Sequence, residues 1–395
     1  MLGAGFLFRR KYDLSRSSGR LMQGTELRIL RSEDELSDLE RDWDDLARRC
    51  PGYFLSQTFM WAQAAWETVA RPRGRTLNIV TVRAGARLVA LWPLVVYREH
   101  GLAVMRPLGS ESSEYSAPLA EPGELAEHYL ELMWQAAAGS ADWALLPHVR
   151  AESLFAKVIE RQRRRTFAED DLPAPFVAHK DFADWAAYQA TIDARWRSKI
   201  RRTRRRLAEL GKVTLEPESR AAASTLIDWM IEHKRLWLVR ADVRNDWLSL
   251  TDYRDFLAEA ARRLSSVGSV ALFVLKLDGV PIAAHFCCVD LCRVEYLIGA
   301  FDAAWTSYGT GQIVTEYGLR WAFENGLDYD FRIGAESYKY KWATRSCATS
   351  TLHIATSWRA LPTLARLHVE RIFSRIRRKL ALGRFLRRIL PEHGS

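Results

Sequence analysis

Apolar residues recur along the chain in patterns that predict two similar series of elements. In the first, residues 27–49 predict a short strand and then a helix capped near Ser32. Residues 56–70 predict a second helix, and residues 77–100 alternate as a β-hairpin would. The remaining elements of this series follow in the order strand, loop, helix, strand, at 102–108, 109–116, 123–138 and 143–146.

The second series repeats this order. A long basic helix is predicted from Phe182 to Leu210, and residues 271–302 predict three strands, the strongest strand signal in the chain. The other elements are a strand at 212–216, helices at 219–240, 250–265 and 312–325, and a strand at 327–331. The repeated order favours an internal duplication.

These patterns predict a mixed α/β (α+β) fold of two tandem lobes, each a mostly antiparallel mixed sheet flanked by helices. A chain of 395 residues is long enough for two cores. The proline-containing segment 150–182 is less regular and separates the lobes. We assign residues 1–24 to a ragged segment, 25–170 to the N-terminal lobe, 180–356 to the C-terminal lobe and 359–390 to a basic amphipathic helix.

The net charge of +10 is concentrated in two places. Residues 195–206 contain eight cations and no acid, and residues 359–390 contain ten cations and one acid. Like charges on one helix repel, so the basic helix indicates an anionic ligand or partner, with Arg197 and Arg201 as candidates to bind it. A nucleotide-linked or lipid-linked sugar and a tRNA both fit this charge.

The C-terminal helix has an apolar face and a basic face. The apolar face carries Leu361, Leu364, His368, Ile372, Ile376 and Leu380, opposite Arg371, Arg375, Arg378 and Lys379. This arrangement is typical of a helix that lies on an anionic membrane surface. The alternative is a helix docked on the protein's own core.

Other features of the sequence predict a cytoplasmic protein, either free or peripheral at the inner face of the cytoplasmic membrane. No apolar run is long enough to span a bilayer, and the first residues lack the order of a signal peptide. The five cysteines lack paired CxxC spacing, so we expect core residues in a reducing compartment and no metal site.

A glycine-containing turn precedes the helix at 312–325. Unpaired N–H groups and the positive end of the helix dipole meet at such a position and can hold a phosphate. The candidate cofactor-binding residues are Ser307, Tyr308, Gly309, Thr310, Gly311 and Gln312.

The short strand at 327–331 is followed by a dense group of titratable residues in the sequence RIGAESYKYKWA. Catalytic residues are often found at strand ends. The stretch YDFRIGAESYKYKWA resembles a branch of the GNAT acyltransferase superfamily, the CelD-like branch associated with cellulose and exopolysaccharide biosynthesis. The matching residues are Asp330, Phe331, Gly334, Glu336, Tyr338, Lys339 and Trp342. The resemblance covers residues 26–356, but Thr306 replaces the superfamily's usual Gln or Arg, and Tyr308-Gly309 replaces the branch's frequent Pro-Gly.

The resemblance implies direct transfer of an acyl group, most simply acetyl, from acyl-CoA to an amine. That amine would belong to an amino sugar or another envelope or exopolysaccharide precursor. Backbone N–H groups around 297–301 would polarise the thioester. Asp330 or Glu336 would act as the base, with His285 as a further candidate, and Tyr338 as the acid. Lys339 would bind an acidic group of the substrate or of CoA.

Each candidate also has a structural interpretation. Asp330 would pair with Arg332 or Lys339, Glu336 would cap a turn, and His285 would be a core histidine. The first lobe lacks a comparable glycine-rich loop, so we expect it to be structural and to shape the acceptor site. Two other functions stay open: a non-catalytic protein that binds an anionic ligand or membrane, and a tRNA-dependent aminoacyl transferase. The related tRNA-dependent transferases insert a long helical arm, which this chain lacks.

Overall fold

The computed structural model describes residues 24–373, apart from 112, 116, 163–165, 169–171, 220–221, 241–250 and 264–267. The expected ragged segment, except Gly24, and the part of the C-terminal helix beyond Phe373 therefore lie outside the described residues.

The first lobe combines five α-helices with eight strands in its described part. The helices are α1 (Glu33–Ser37), α2 (Glu40–Arg49), α3 (Phe59–Ala65), α4 (Ala126–Ala138) and α5 (Leu154–Glu160). The strands are β1 (Thr25–Leu30), β2 (Thr76–Leu77), β3 (Ile79–Ala84), β4 (Arg87–Trp92), β5 (Leu94–Glu99), β6 (Leu102–Pro107), β7 (Leu119–Ala120) and β8 (Trp143–Arg150). Helix α1 begins at the capping box of Ser32 and Glu35, as the sequence predicts.

The connecting segment and the second lobe supply the other elements. Strands β9 (Thr166–Ala168) and β10 (Leu172–Val177) come first. The helices are α6 (Trp185–Thr191), α7 (Ala194–Ala208), α8 (Ala223–Arg240), α9 (Thr251–Arg262) and α10 (Thr310–Glu324). The strands are β11 (Val213–Pro217), β12 (Gly268–Leu277), β13 (Val280–Asp290), β14 (Arg293–Phe301), β15 (Asp328–Asp330) and β16 (Arg345–Ala355).

Strands of both lobes form one continuous sheet. Its order is β11-β12-β13-β14-β15-β10-β16-β8-β6-β5-β2, with β9 also paired to β16, and a second sheet has the order β1-β3-β4-β7. Strand β16 joins the lobes because it pairs with β8 on one side and with β10 on the other. The mixed α/β fold class is therefore confirmed, with the two lobes fused through a shared sheet.

The duplication is visible in the pairing of strands. In the first lobe β6 leads through α4 to β8, and Val104 pairs in parallel with Trp143. In the second lobe β14 leads through α10 to β15, and Arg293 pairs in parallel with Asp328. Each lobe thus contains a strand–helix–strand unit with a parallel pair, set among antiparallel strands.

The connecting segment differs from the expectation of irregular structure. Despite Pro173 and Pro175, residues 172–177 form β10 between β15 and β16. A proline cannot donate a hydrogen bond, but its carbonyl oxygen still accepts one. The carbonyls of Pro173 and Pro175 accept from the N–H groups of Gly334 and Phe331, so β10 holds the segment after β15 in place.

The long basic helix expected from Phe182 to Leu210 is two helices. Helix α6 ends at Thr191, Ile192 is extended, and the Asp193 side chain caps α7 by accepting from the N–H of Trp196. An aspartate competes well for backbone N–H groups at a helix start, and this explains the break.

Helices cover both faces of the sheet in the second lobe. Helices α8 and α9 pack with Phe286 and Ile298, while α10 packs on the opposite face, with Cys287 and Val294. In the described part of the chain, no helix combines the length and apolar character needed to cross a membrane.

The C-terminal helix is described over residues 361–373. Leu364 is buried against the core that contains Trp143 and Ala355, and His368 contacts the ring of Phe167. A second apolar face is exposed instead, formed by Trp358, Leu361, Val369, Ile372 and Phe373. The apolar stripe expected from the sequence is thus divided between the core and the surface.

Candidate active site

Strands β14 and β15 separate at the centre of the second lobe. Their parallel pairing ends at Glu295 and Asp330, but β14 continues to Phe301 along β13. The register between β13 and β14 shifts at Leu297, which has no partner of its own in the ladder. Such a bulge turns backbone groups out of the sheet. The opening between the strands lies where the sequence analysis expects backbone N–H groups to polarise a carbonyl.

The loop after β14 leads directly into the N-terminus of α10. Asp302 caps the short helical turn Ala303–Tyr308, and Gly309 is left-handed, with φ of 56°. No side chain caps α10, so its first N–H groups stay available for an anion. A side chain at Gly311 would meet only the ring of Phe301, and the buried Thr310 hydroxyl has no hydrogen-bond partner among the described residues. These features fit the pyrophosphate of an acyl-CoA.

Helix α7 lies beside this loop and presents two basic sides. Arg204 forms an ion pair with Glu316 of α10 at 2.8 Å, and Arg206 lies 4.7 Å from the centre of the Tyr308 ring. By helical spacing, Arg197 and Arg201 lie on the side of Arg204. The side that contacts the loop instead carries Arg195, Lys199, Arg202 and Arg206.

The segment after β15 folds tightly over itself. Gly334 has φ of 129°, and a side chain there would collide with the Glu336 carboxylate and the Lys339 ammonium. Lys339 is buried, forms an ion pair with Glu336 at 3.1 Å and donates to the carbonyl of Ile333. The positive φ of Gly334 strains any residue with a side chain, and this explains the glycine of the sequence motif.

Tyr338 reaches the strand opening. Its side chain lies beside that of Tyr296 on β14, whose ring packs edge-on against His285 with 4.6 Å between the ring centres. Burial raises the pKa of the Tyr338 hydroxyl, so this group stays protonated at neutral pH. Burial, and to a lesser degree nearby Lys234, lowers the pKa of His285 to about 3.

Asp330 is held by three partners. Its carboxylate accepts from the backbone N–H of Arg332 at 2.6 Å and from the Tyr115 hydroxyl at 3.3 Å, and it lies 3.5 Å from Arg150. Tyr115 and Arg150 belong to the first lobe. The pairing with the side chain of Arg332 or Lys339 that the sequence suggests is replaced by contacts across the lobe boundary.

Arg332 forms the centre of a second set of contacts between the lobes. Its buried guanidinium pairs with Glu295 and Glu114, each at 3.1 Å. Glu114, from the first lobe, also accepts from the N–H of Ile333 at 3.1 Å. Arg332 has a φ of 59°, which is unusual for a residue with a side chain, and these contacts hold it there.

The structure thus places His285 and Tyr338 beside Tyr296, while Glu336 and Lys339 pair with each other on the segment that carries Tyr338. Trp342 donates its indole N–H to Gln312 at 2.8 Å and connects this segment to the loop 307–312. Sequence patterns did not identify Tyr296, Lys234 or Glu114. Tyr296 lies on a strand without a motif, and only its position beside the bulge indicates a role.

Comparison with known proteins supports this description. Residues 194–340 match the sequence model of the acetyltransferase (GNAT) domain family. A comparison with curated protein sequences finds no match.

Three solved structures are similar in fold. FemX is 12% identical, with 82% of this chain and 98% of that chain covered and a TM-score of 0.54. The C-terminal domain of a protein from Agrobacterium fabrum, assigned as a lysylphosphatidylglycerol synthetase, is 13% identical, with 84% and 96% covered and a TM-score of 0.51. L-PGS from Bacillus licheniformis is 12% identical, with 85% and 96% covered and a TM-score of 0.50. Residues 194–340 of the second lobe thus match a GNAT acetyltransferase domain model, and the chain as a whole has a tandem GNAT-like fold.

Proposed function

We propose that the protein transfers an acyl group, most simply acetyl, from acyl-CoA to an amine on an anionic acceptor. The observation that carries this proposal is the opening between β14 and β15, which leads to the uncapped N-terminus of α10. The two features together would hold the thioester arm between the strands and its pyrophosphate at the helix N-terminus.

The binding residues follow from this geometry. The N–H groups of Thr310 and Gly311 would hold the pyrophosphate, with Ser307, Tyr308, Gly309 and Gln312 shaping the loop. The backbone N–H groups beside Leu297 would hydrogen-bond the thioester carbonyl oxygen and stabilise the charge that develops on it.

Proton transfer is assigned to Glu336 and Tyr338. As the amine nitrogen attacks the thioester carbon, the Glu336 carboxylate takes the amine proton, and Tyr338 donates its proton to the sulfur as the C–S bond breaks. Glu336 contacts Lys339 and is half exposed, so an acceptor can reach it. Asp330 is occupied by its partners and acts as a positioning residue. With a pKa near 3, His285 is too weak a base for this step.

The acceptor side of the proposal rests on charge. Lys339 and the basic sides of α7, including Arg197 and Arg201, would attract an acceptor that carries acidic groups. An amino sugar or another envelope or exopolysaccharide precursor has this chemistry, and membership of the CelD-like branch is part of the same proposal. The reaction would take place in the cytoplasm.

A second candidate is aminoacyl transfer from tRNA. The basic α7 and the fold similarity to FemX and to the lysylphosphatidylglycerol synthetase domain favour it. This candidate requires strong RNA binding that weakens steeply with salt. A filter-binding measurement with bulk tRNA at two salt concentrations separates it from the CoA-dependent reaction.

Peripheral contact with an anionic membrane is also part of the proposal. The exposed face of the C-terminal helix carries Trp358, which is 78% exposed, and Phe373, which is 56% exposed, with Arg359 and Arg366 beside them. Apolar residues flanked by cations are typical of a helix at an anionic lipid surface. Such contact would place the enzyme near lipid-linked acceptors.

Release of CoA thiol from acetyl-CoA, measured with a panel of amino sugars, tests the proposed chemistry. Tyr338→Phe removes the proton donor, and we expect kcat to fall by about a hundredfold with little change in the KM for acetyl-CoA. Tyr97→Phe, which changes a half-buried tyrosine on β5 of the first lobe, serves as the matched control. Equal activity of the two variants would contradict the role of Tyr338, and a wild-type protein without turnover would favour the non-catalytic alternative.

A further inference from the structure

A separate pocket lies between the start of α7 and the segment that follows Lys339. Its volume is about 760 Å³. The side chains that matter for its chemistry are Arg195, Trp196, Lys199, Tyr340, Lys341 and Trp342. None of these residues has a part in the acyl-transfer steps described above.

The pocket is strongly positive. Arg195, Lys199 and Lys341 line it, and none of the three forms an ion pair with another described residue. Asp193 is the one acid among the described lining residues, and its carboxylate already caps α7 by accepting from the N–H of Trp196. Three cations without acidic partners repel each other around one cavity, and an anion bound among them would offset this repulsion.

Aromatic rings form the inner wall of the pocket. The ammonium of Lys341 lies 4.0 Å and that of Lys199 lies 5.5 Å from the centre of the Trp196 ring. Trp196 also packs edge-on against the buried Trp342. The two lysines therefore have no carboxylate partner and rest on an indole, a contact that an anionic ligand can replace or share.

The pocket is connected to the acyl-CoA loop by two routes. Trp342 donates its indole N–H to Gln312 in the first turn of α10. Along α7, Arg195, Lys199, Arg202 and Arg206 recur at helical spacing, and Arg206 stacks on Tyr308 of the loop. This basic stripe spans about 16 Å, given the rise of an α-helix.

We propose that this pocket is a second phosphate site, distinct from the N-terminus of α10, that binds the phosphate of a nucleotide-bearing ligand. The cations bind the phosphate, and the exposed Tyr340 ring together with Trp196 offers a surface on which a base can stack. Two ligands have this chemistry: a nucleotide-linked acceptor, and CoA through its adenosine 3′-phosphate. Only the second source rests on the proposed acyl-CoA function.

Isothermal titration calorimetry of the full chain with UMP, CoA and dephospho-CoA distinguishes the sources. Lys199→Glu and Lys341→Glu reverse a charge at the pocket, whereas Arg205→Glu makes the same change on the solvent side of α7. All three positions are exposed, and thermal unfolding checks that each variant folds. Lys341→Gln serves as a milder second variant.

An acceptor site predicts that UMP binds and that both pocket variants weaken it by about tenfold, while Arg205→Glu does not. A CoA 3′-phosphate site predicts the same loss for CoA but not for dephospho-CoA. If the pocket variants and Arg205→Glu bind each of the three probes with the same affinity, the proposal is wrong. Binding of UMP without any binding of CoA would support the pocket while contradicting the proposed acyl donor.

Discussion

Trp342 and Asp330 show what the sequence motif defines and what it leaves open. The motif contains both residues, but their partners lie elsewhere in the sequence. Trp342 contacts Gln312, and Asp330 contacts Tyr115, which is 215 positions earlier. Periodicity describes contacts within an element, whereas these contacts depend on how elements pack. For this reason the sequence could suggest Asp330 and Trp342 as candidates, but it could not predict the partners of either side chain.

His285 gives a prediction at this scale. The unfolded chain binds a proton at this histidine below pH 6.5, but the folded chain does not until about pH 3, so His285 costs stability as the pH falls. Glutamine does not bind this proton. We therefore expect the free energy of unfolding of His285→Gln, relative to that of the wild type, to rise by about 2 kcal/mol as the pH falls from 6.5 to 5. Denaturant titrations at both pH values measure this gain. The exposed His100→Gln is the control, and an equal gain there would contradict the account.

At the scale of elements, periodicity predicted most strands and helices of both lobes, but it did not predict α5, β10 or β16, the strand that joins the lobes. Asp193 interrupts the predicted single helix because its side chain caps α7. The prolines of β10 fit into the sheet because their carbonyl oxygens accept hydrogen bonds from the N–H groups of Phe331 and Gly334. By helical spacing, Arg195 and Lys199 lie on the same side of α7 as Arg206, which contacts the loop 307–312. Arg197 and Arg201 lie on the side of Arg204 instead.

The C-terminal helix gives the second prediction. If its exposed face lies on an anionic membrane, Trp358→Ser with Phe373→Ser should abolish co-sedimentation with phosphatidylglycerol vesicles, because the apolar anchors are lost. Leu210→Ser, which removes an exposed leucine at the end of α7, should have no effect. Equal binding to phosphatidylcholine vesicles, or full binding by the double variant, would contradict the membrane assignment.

At the scale of the whole molecule, the first lobe supports the site in the second. Glu114, Tyr115 and Arg150 contact the backbone or side chains of residues 330–333, and the shared sheet fixes the two lobes relative to each other. The sequence indicated a structural first lobe only because it lacks a glycine-rich loop. The contacts show how that lobe holds the segment that carries Glu336 and Tyr338.

Glu114→Gln tests this support. The change removes one of the two charged partners of Arg332, and we expect a loss of about 2 kcal/mol in unfolding free energy together with a lower kcat. The exposed Glu124→Gln is the control. Unchanged stability and turnover in Glu114→Gln would show that the first lobe does not hold the site.

The most direct test of the central claim is whether acetyl-CoA and free CoA bind. Thermal unfolding with and without each ligand measures this binding for the wild type, Gly311→Ala and Gly311→Glu. A side chain at Gly311 makes only ordinary contact with Phe301, so both variants should fold, but the glutamate places a negative charge where the pyrophosphate would bind. The account predicts that CoA raises the Tm of the wild type and of Gly311→Ala, and that Gly311→Glu abolishes the rise. If no CoA species raises the Tm of the wild type, or if Gly311→Glu responds as the wild type does, the acyl-CoA site is not at the N-terminus of α10.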